Sequence, residues 1–469
     1  MEKAPMNYEE NQSLLDLVTD YEALREQGRE VVWEEKAFAQ VIEYYERENQ
    51  FPRAIEAINL AIKHFAYSAD FYLKKAQLLI DTHQEAQALQ VLEAAANFAP
   101  FDPEIGLLRA EALSQMGLYE EALDLLNELK PNADSTTLAN IYVCEAAVYE
   151  HSEEYERMYY ALKGALQENP HHEEALEQLW LCVEATRKYE ESIALHQEVI
   201  EADPYSYLAW YNLGHAQAYL GNYEEAIEAY EYAFLTNEKF EFAYRDCAEM
   251  CCEIKQYRKA LQCYGEVLER FEPDSELFFN MGQCYQHLAD YTSARACYTK
   301  ALHLDHYNDE ILFHIGECYA RAGKWKQAVK AFNKAIDMED FREEYYAALA
   351  EACAALGEAE QAAANFKKAV ELAPEQTAYW MQYTGFLIES DQVEDALAVL
   401  QEAEDYSTGA ELLYCRIACL FALGRRQEAL YWLAEALVED FEMYEVLFEL
   451  LPSLRNDRDV VHLISSYLN

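Results

Sequence analysis

Residues 206–240 read SYLAWYNLGHAQAYLGNYEEAIEAYEYAFLTNEKF, and their spacing decides the fold. Trp210, Leu213 and Gly214 fall at i, i+3, i+4, while Ala226, Tyr230 and Ala233 fall at i, i+4, i+7. Each half therefore predicts a short helix with one apolar face, and Leu220-Gly221-Asn222 separates the two. Gly214 and Ala226 are small enough for the two helices to approach until their backbones nearly touch, which a Leu would prevent.

The rest of the chain repeats this unit. The small residue of the second helix recurs at Ala54, Ala88, Ala122, Met158, Ser192, Ala226, Ala260, Ala294, Ala328, Ala362, Ala396 and Ala429, a period of 34. Twelve repeats follow: 35–68, 69–102, 103–138, 139–172, 173–206, 207–240, 241–274, 275–308, 309–342, 343–376, 377–410 and 411–443. The third carries two extra residues near Pro131-Asn132, and the last is one short at Gly424-Arg425. One helix pair cannot bury its own apolar face, so self-similarity at this period means stacked pairs and an all-α solenoid.

The pattern over 35–443 resembles the tetratricopeptide repeat. Its marker positions appear as Trp210, Leu213-Gly214, Ala226, Tyr230 and Ala233; as Phe278, Met281-Gly282, Tyr285, Ala294, Tyr298 and Ala301; and as Leu312, Ile315-Gly316, Tyr319, Ala328, Phe332 and Ala335. The motif's terminal proline stands at Pro100, Pro170, Pro204 and Pro374. The resemblance implies a right-handed superhelical solenoid whose first helices line a concave face. It also implies a non-catalytic scaffold or adaptor that binds a polypeptide along that face. On that implication repeats six to nine offer Tyr211, Asn212, His215 and Tyr219; Arg245, Asp246 and Glu249; Phe279, Asn280, Gln283 and His287; and Phe313, His314 and Glu317. Aromatics interleaved with amides suit an extended peptide, because rings give buried area at low entropy cost and amides can bond its backbone. Repeat ten, with Ala347, Ala348, Ala354 and Ala355, offers little but alanine. The carboxylate clamp of chaperone-binding members is incomplete: Glu177 and Leu181 precede Asn212 where Lys and Asn belong, and Glu310 and His314 follow Asn280. An acidic tail is therefore not the expected partner.

Composition narrows the partner further. The 87 acidic against 36 basic residues give a net charge of −51, which repels nucleic-acid phosphates and anionic lipid. A basic or neutral protein segment is expected instead, with neither nucleic acid nor membrane as a partner. The start MEKAPMNYEENQ lacks a basic region followed by an apolar run, and no apolar stretch approaches a membrane span. The 12 Cys show no matched CxxC pairs; Cys247, Cys251, Cys284, Cys318 and Cys353 occupy small, buried positions of the repeat. Reduced thiols and a cytoplasmic setting follow. No phosphate loop, GxSxG or HExxH is present, so no enzyme and no cofactor are expected. His215, His287 and His314 with Glu249 and Glu317 lack the short spacing of a metal site.

The ends stand outside the period. Residues 1–34 hold a stripe of Leu14, Leu17, Val18, Tyr21 and Leu24, with Ser13 and Asp16 as an N-cap signal and Gly28 as a stop. Residues 444–469 predict a helix through Tyr444, Val446, Leu447, Leu450 and Leu451, then Pro452 and a short segment through Leu468. Both ends read as caps on open solenoid faces. A self-associating solenoid using 1–34 or an imperfect end, or a regulatory subunit of a larger complex, is the alternative. Three local expectations complete the reading. Arg109 pairs with Glu145; His196 is a buried neutral histidine; and pairs such as Glu120-Glu121, Glu190-Glu191 and Glu224-Glu225 open helices, where their charge complements the dipole.

Overall fold

In the computed structural model, residues 8–27, 33–407 and 410–467 are described, the side chains of 8–13 excepted. The 206–240 stretch forms helices Tyr207–Tyr219 and Tyr223–Thr236, broken at Leu220-Gly221-Asn222 as the spacing predicts. Ser206 caps the first by accepting from the Ala209 N–H at 3.4 Å. Trp210 donates its indole N–H to the carbonyl of Pro204 at 3.0 Å, tying the helix to the preceding turn. Trp380 does the same to Pro374 at 2.8 Å.

The described residues contain 27 α-helices and no strand. The turn inside each helix pair is closed by a residue in the left-handed region. Gly221 has φ 80° and Ala289, two periods on, has φ 59°. Such residues recur at 34-residue spacing from Asn49 to Gly424, apart from the step of 36 between Gly117 and Glu153 and that of 33 between Asp391 and Gly424. The residue after each folds its N–H back onto the helix, as Asn222 does to Gln217 at 3.0 Å and Asp290 to Tyr285 at 2.9 Å. The extra residues of 103–138 form a 3-10 turn at Lys130–Asn132. Pro100, Pro170, Pro204 and Pro374 all lie in turns between pairs. The expected acidic pairs occupy first helical turns.

Small residues sit beneath large ones in the core, but not as expected. The Gly214 gap is filled by the ring of Tyr230 rather than by a second backbone: a Cβ on Gly214 would lie 2.6 Å from that ring. Gly282 lies likewise under Tyr298, and Gly316 under Phe332. Where the first-helix residue is Ala76, Ala110 or Ala146, the second helix brings Leu92, Leu126 or Leu162 instead, all fully buried. Volume is conserved across these six pairs.

The chain divides into two compact units, residues 1–243 and 244–469. In the first, helix Tyr8–Glu26 packs Val18 and Tyr21 against Phe38, Val41, Ile42 and Tyr45. It begins at Tyr8, so Ser13 lies inside the helix and is not its N-cap. It ends at Glu26, and Gly28 falls outside the described residues. The Arg109–Glu145 expectation also needs correction. Glu145, 5% exposed, pairs with Lys130 at 2.6 Å, because the extra 3-10 turn carries that ammonium over it. His196 is fully buried; its Nδ1–H donates to the Ser192 carbonyl at 2.7 Å and Nε2 has no partner among the described residues. Burial lowers its pKa to about 4, so the ring is neutral.

In the second unit a core runs from Ala328 to Ile464 through Trp380, Phe386, Tyr414 and Leu447. Its end is built of a short helix Glu445–Leu450, a 3-10 turn Pro452–Asn456 and helix Arg458–Tyr467, with Leu468 outside the described residues. Arg426 fastens the last helix by bonding Asp457 at 2.6 and 2.7 Å and Asp459 at 2.7 Å.

Candidate partner-binding site

The expected site residues fall into both units: Tyr211, Asn212, His215 and Tyr219 in the first, the remainder in the second. In the first unit they form one aromatic cluster. Tyr211 meets His215 edge-on at 4.4 Å and Phe240 at 4.7 Å. His215 stacks on Trp180 of the preceding repeat at 4.8 Å, and Tyr219 stacks on Tyr189 at 5.1 Å. The Tyr219 hydroxyl donates to Glu184 at 2.8 Å, and that bond raises its pKa. Tyr219 is 53% exposed, the most open ring of the group. Asn212 departs from the expectation. It is 4% exposed and donates its amide to the Leu176 carbonyl at 2.7 Å, so it links two repeats and has no free face. Amide length and polarity alone cannot separate these two roles; only the position of the Leu176 carbonyl does.

In the second unit Arg245 grips Asp274 with both guanidinium nitrogens, at 2.9 and 3.4 Å. This fastens the helix carrying Arg245 to the N-cap of the next, since Asp274 also accepts from the Leu277 N–H. Around Glu249, desolvation first, then the charges of Asp246 and Glu276, hold the carboxyl above the usual range. Asn280 bonds the buried Tyr264 hydroxyl. Phe279 lies half-buried against Tyr298 at 5.7 Å and His314 at 5.4 Å. Phe313 stacks on Tyr345 at 4.7 Å, and His287 stacks nearly parallel on Tyr257 at 4.5 Å. His314 shares its Nδ1 proton with Glu317 at 2.8 Å, and Gln286 donates to the same carboxylate at 3.2 Å. Burial pushes Glu317 up, but these bonds outweigh it and the net direction is down. Gln283 is half-buried and makes no hydrogen bond among the described residues.

A cavity of about 220 Å³ opens beside Phe279, between Ser275, Glu276 and the turn carrying Asp305 and Asn308, with Glu310 and Ile311 on its far side. Its rim carries three carboxylates and no basic side chain. The sequence reading missed Asp305 and Asn308, which belong to an inter-repeat turn; their spacing from Phe279 carries no helical signal. In the turn beside Pro170, His171 bonds Asp203 at 2.9 Å and His172 bonds Asn140 at 3.0 Å. Among the described residues no three His, Cys, Asp or Glu side chains converge as a metal ion requires, and no helix is long and apolar enough to cross a membrane.

Helix pairs of one period, stacked small under large, define a helical-repeat protein. Sequence profiles described as tetratricopeptide repeat match residues 207–240, 274–339 and 315–377. The chain is a tetratricopeptide-repeat protein, a class of protein-interaction scaffold. Among curated proteins it is 25% identical over 172 residues to the human Protein O-mannosyl-transferase TMTC1, covering 36% of this chain and 19% of that protein. The chain thus matches about a fifth of that relative's length. Solved structures similar to it include YrrB, described as a TPR protein with an unusual peptide-binding site (18% identity, 39% of this chain and 95% of that one, TM-score 0.35). Another is the APC/C hetero-tetramer Cut9-Hcn1 (12% identity, 97% of this chain and 99% of that one, TM-score 0.36).

Proposed function

We propose that the chain is a non-catalytic scaffold that holds a basic or neutral polypeptide segment against the first helices of its repeats, and that it works in the cytoplasm with its thiols reduced. The observation that carries this reading is the Phe279 site. A half-buried ring lies beside a small cavity rimmed by Glu276, Asp305 and Glu310, and the half-buried Gln283 stands about one helical turn on from that ring. The ring supplies apolar area, the amide can bond a peptide backbone, and the carboxylates select for positive charge. His287, exposed in the same unit, is the further contact we assign.

Affinity capture with the whole chain, followed by binding measurements on the recovered segment, tests this. Gln283→Ala together with Glu276→Gln is expected to weaken the segment severalfold without altering helicity, and added salt to weaken it further. Wild-type affinity in that double variant, or indifference to salt, counts against the site. Mannosyl transfer by the purified chain would overturn the non-catalytic part. A concentration-dependent mass in light scattering, abolished by removing residues 1–34, would favour self-association instead.

A further inference from the structure

Repeat ten, which the sequence reading set aside as bare alanine, borders a cavity of about 650 Å³ in the second unit. The alanines are the cause of the space. Ala354 and Ala355 leave one wall low, and Gly385 lets the Glu445–Leu450 helix close over as another. A Cβ on Gly385 would come within 3.1 Å of Leu450. The volume falls within the roughly 300–1,000 Å³ usual for ligand sites.

Its lining is of two kinds. Met381, Phe386 and Val446 make an apolar wall, stiffened by Phe366, whose ring packs on Phe386 at 5.4 Å and on Tyr383 at 5.9 Å. Glu351, Glu389 and Glu449 come in from three different helices, and no Lys, Arg or His lines the space. None of the three carboxylates has a hydrogen bond or ion pair among the described residues, although Arg321 acts on Glu351 from outside the cavity. They do not converge closely enough for a metal ion. Three unpaired carboxylates around an apolar wall repel anions and attract an extended organic cation. A Lys or Arg side chain meets both demands, its stem on the wall and its head among the carboxylates.

We propose that this cavity is a second docking site, which takes one Lys or Arg side chain of a partner polypeptide together with an adjacent bulky apolar side chain. It rests on the scaffold reading and adds a place and a chemistry to it.

The test uses the full chain and a fluorescein-labelled eight-residue peptide of alternating Leu and Lys, read by anisotropy. Two variants probe the site independently: the triple Glu351→Gln, Glu389→Gln, Glu449→Gln, which keeps the volume, and Ala355→Leu, which keeps the charge and fills the space. Each is expected to weaken the peptide at least tenfold. The control triple Glu120→Gln, Glu121→Gln, Glu128→Gln, on exposed positions of the first unit, is expected to leave it unchanged. A Ser–Lys peptide is expected to bind at least tenfold less tightly than the Leu–Lys one. Wild-type affinity in the glutamine triple, or equal loss in the control, overturns the proposal even if Ala355→Leu fails to fold. If a captured partner binds the cavity triple as it binds the wild type, the cavity fails and the scaffold reading stands. If the wild-type chain captures no polypeptide, the scaffold reading itself fails.

Discussion

Replacing Gly214 by alanine tests the packing rule of this fold directly. In an open helix the exchange stabilises by about 1 kcal/mol. Here the new Cβ would lie 2.6 Å from Cε1 and 2.7 Å from Cδ1 of Tyr230, whereas ordinary contact begins at 3.4 Å. Ring and helix must part by roughly 0.8 Å, an overpacking of the kind that costs about 1–3 kcal/mol. Tyr230 is 1% exposed, and Tyr211 and His215 flank its ring at 5.7 and 5.6 Å, so it cannot swing aside. Alanine does stand at the equivalent Ala248 and Ala350, paired with Tyr264 and Phe366, all of them buried. A pair can therefore be spaced to accept a methyl. The cost is that of respacing one pair inside a set stack, and the net loss is about 1 kcal/mol once the helix gain is subtracted.

Gly265→Ala is the control. It lies inside helix Tyr257–Arg270 with nothing within 4 Å of its added Cβ, and gains about 0.5–1 kcal/mol. Repeat arrays open locally, so amide hydrogen exchange is the proper assay, with urea unfolding beside it. Exchange across 207–236 is expected to rise about fivefold in Gly214→Ala, and exchange across 257–270 to fall in Gly265→Ala. Adding Tyr230→Leu to Gly214→Ala recovers protection, because Ala over Leu is the pairing used at Ala76 and Leu92. Protection in Gly214→Ala equal to or above the wild type would refute the reasoning.

Three further outcomes follow from single sites. His196 has a folded pKa of about 4 against 6.5; the unfolded chain binds the proton more readily, so its contribution is intact above pH 6.5 and is lost as pH falls toward 4, by about 3 kcal/mol in all. His196→Leu is expected to flatten the pH dependence of melting over that window; parallel curves for the two proteins would rule this out. Ala289→Gly relieves a left-handed alanine at φ 59° and is expected to stabilise by about 0.5–1 kcal/mol, read as a rise in urea midpoint; a drop would contradict it. Cys252 lies 3.4 Å from Cys284, whose hydrogen bond draws its pKa down, while burial pushes the Cys144 thiol up to about 12. Both Cys252 and Cys144 are half-buried, so iodoacetamide followed by mass spectrometry should find Cys252 alkylated first, and the reverse order would refute the assignment.

Much of the fold could be read from single positions. The interval between Ala226 and Ala260 already specifies a helix pair per period, and the lengthened and shortened intervals reappear as the steps around Glu153 and Gly424. His196 was legible because a polar residue at a core position must be buried and neutral. The site was less legible. Tyr211, Phe279 and Phe313 are placed by period, yet how much of each ring is taken by Phe240, Tyr298 or Tyr345 depends on the next helix. Asn212 and Asn280 look alike in sequence; one bonds a neighbouring backbone and the other a buried hydroxyl.

By itself, then, the sequence determined the helices, their pairing, the turns and the residues of the core, because these depend on offsets of three, four and thirty-four along one chain and on side-chain volume. Only the tertiary structure decided that Glu145 goes to Lys130, that the Asn212 amide is already bonded, and that alanines at 354 and 355 open a cavity. A hydrogen bond or an ion pair requires two groups within about 3 Å, and an empty space requires several walls at once. Both are distances among elements far apart in the chain, and no local period encodes them.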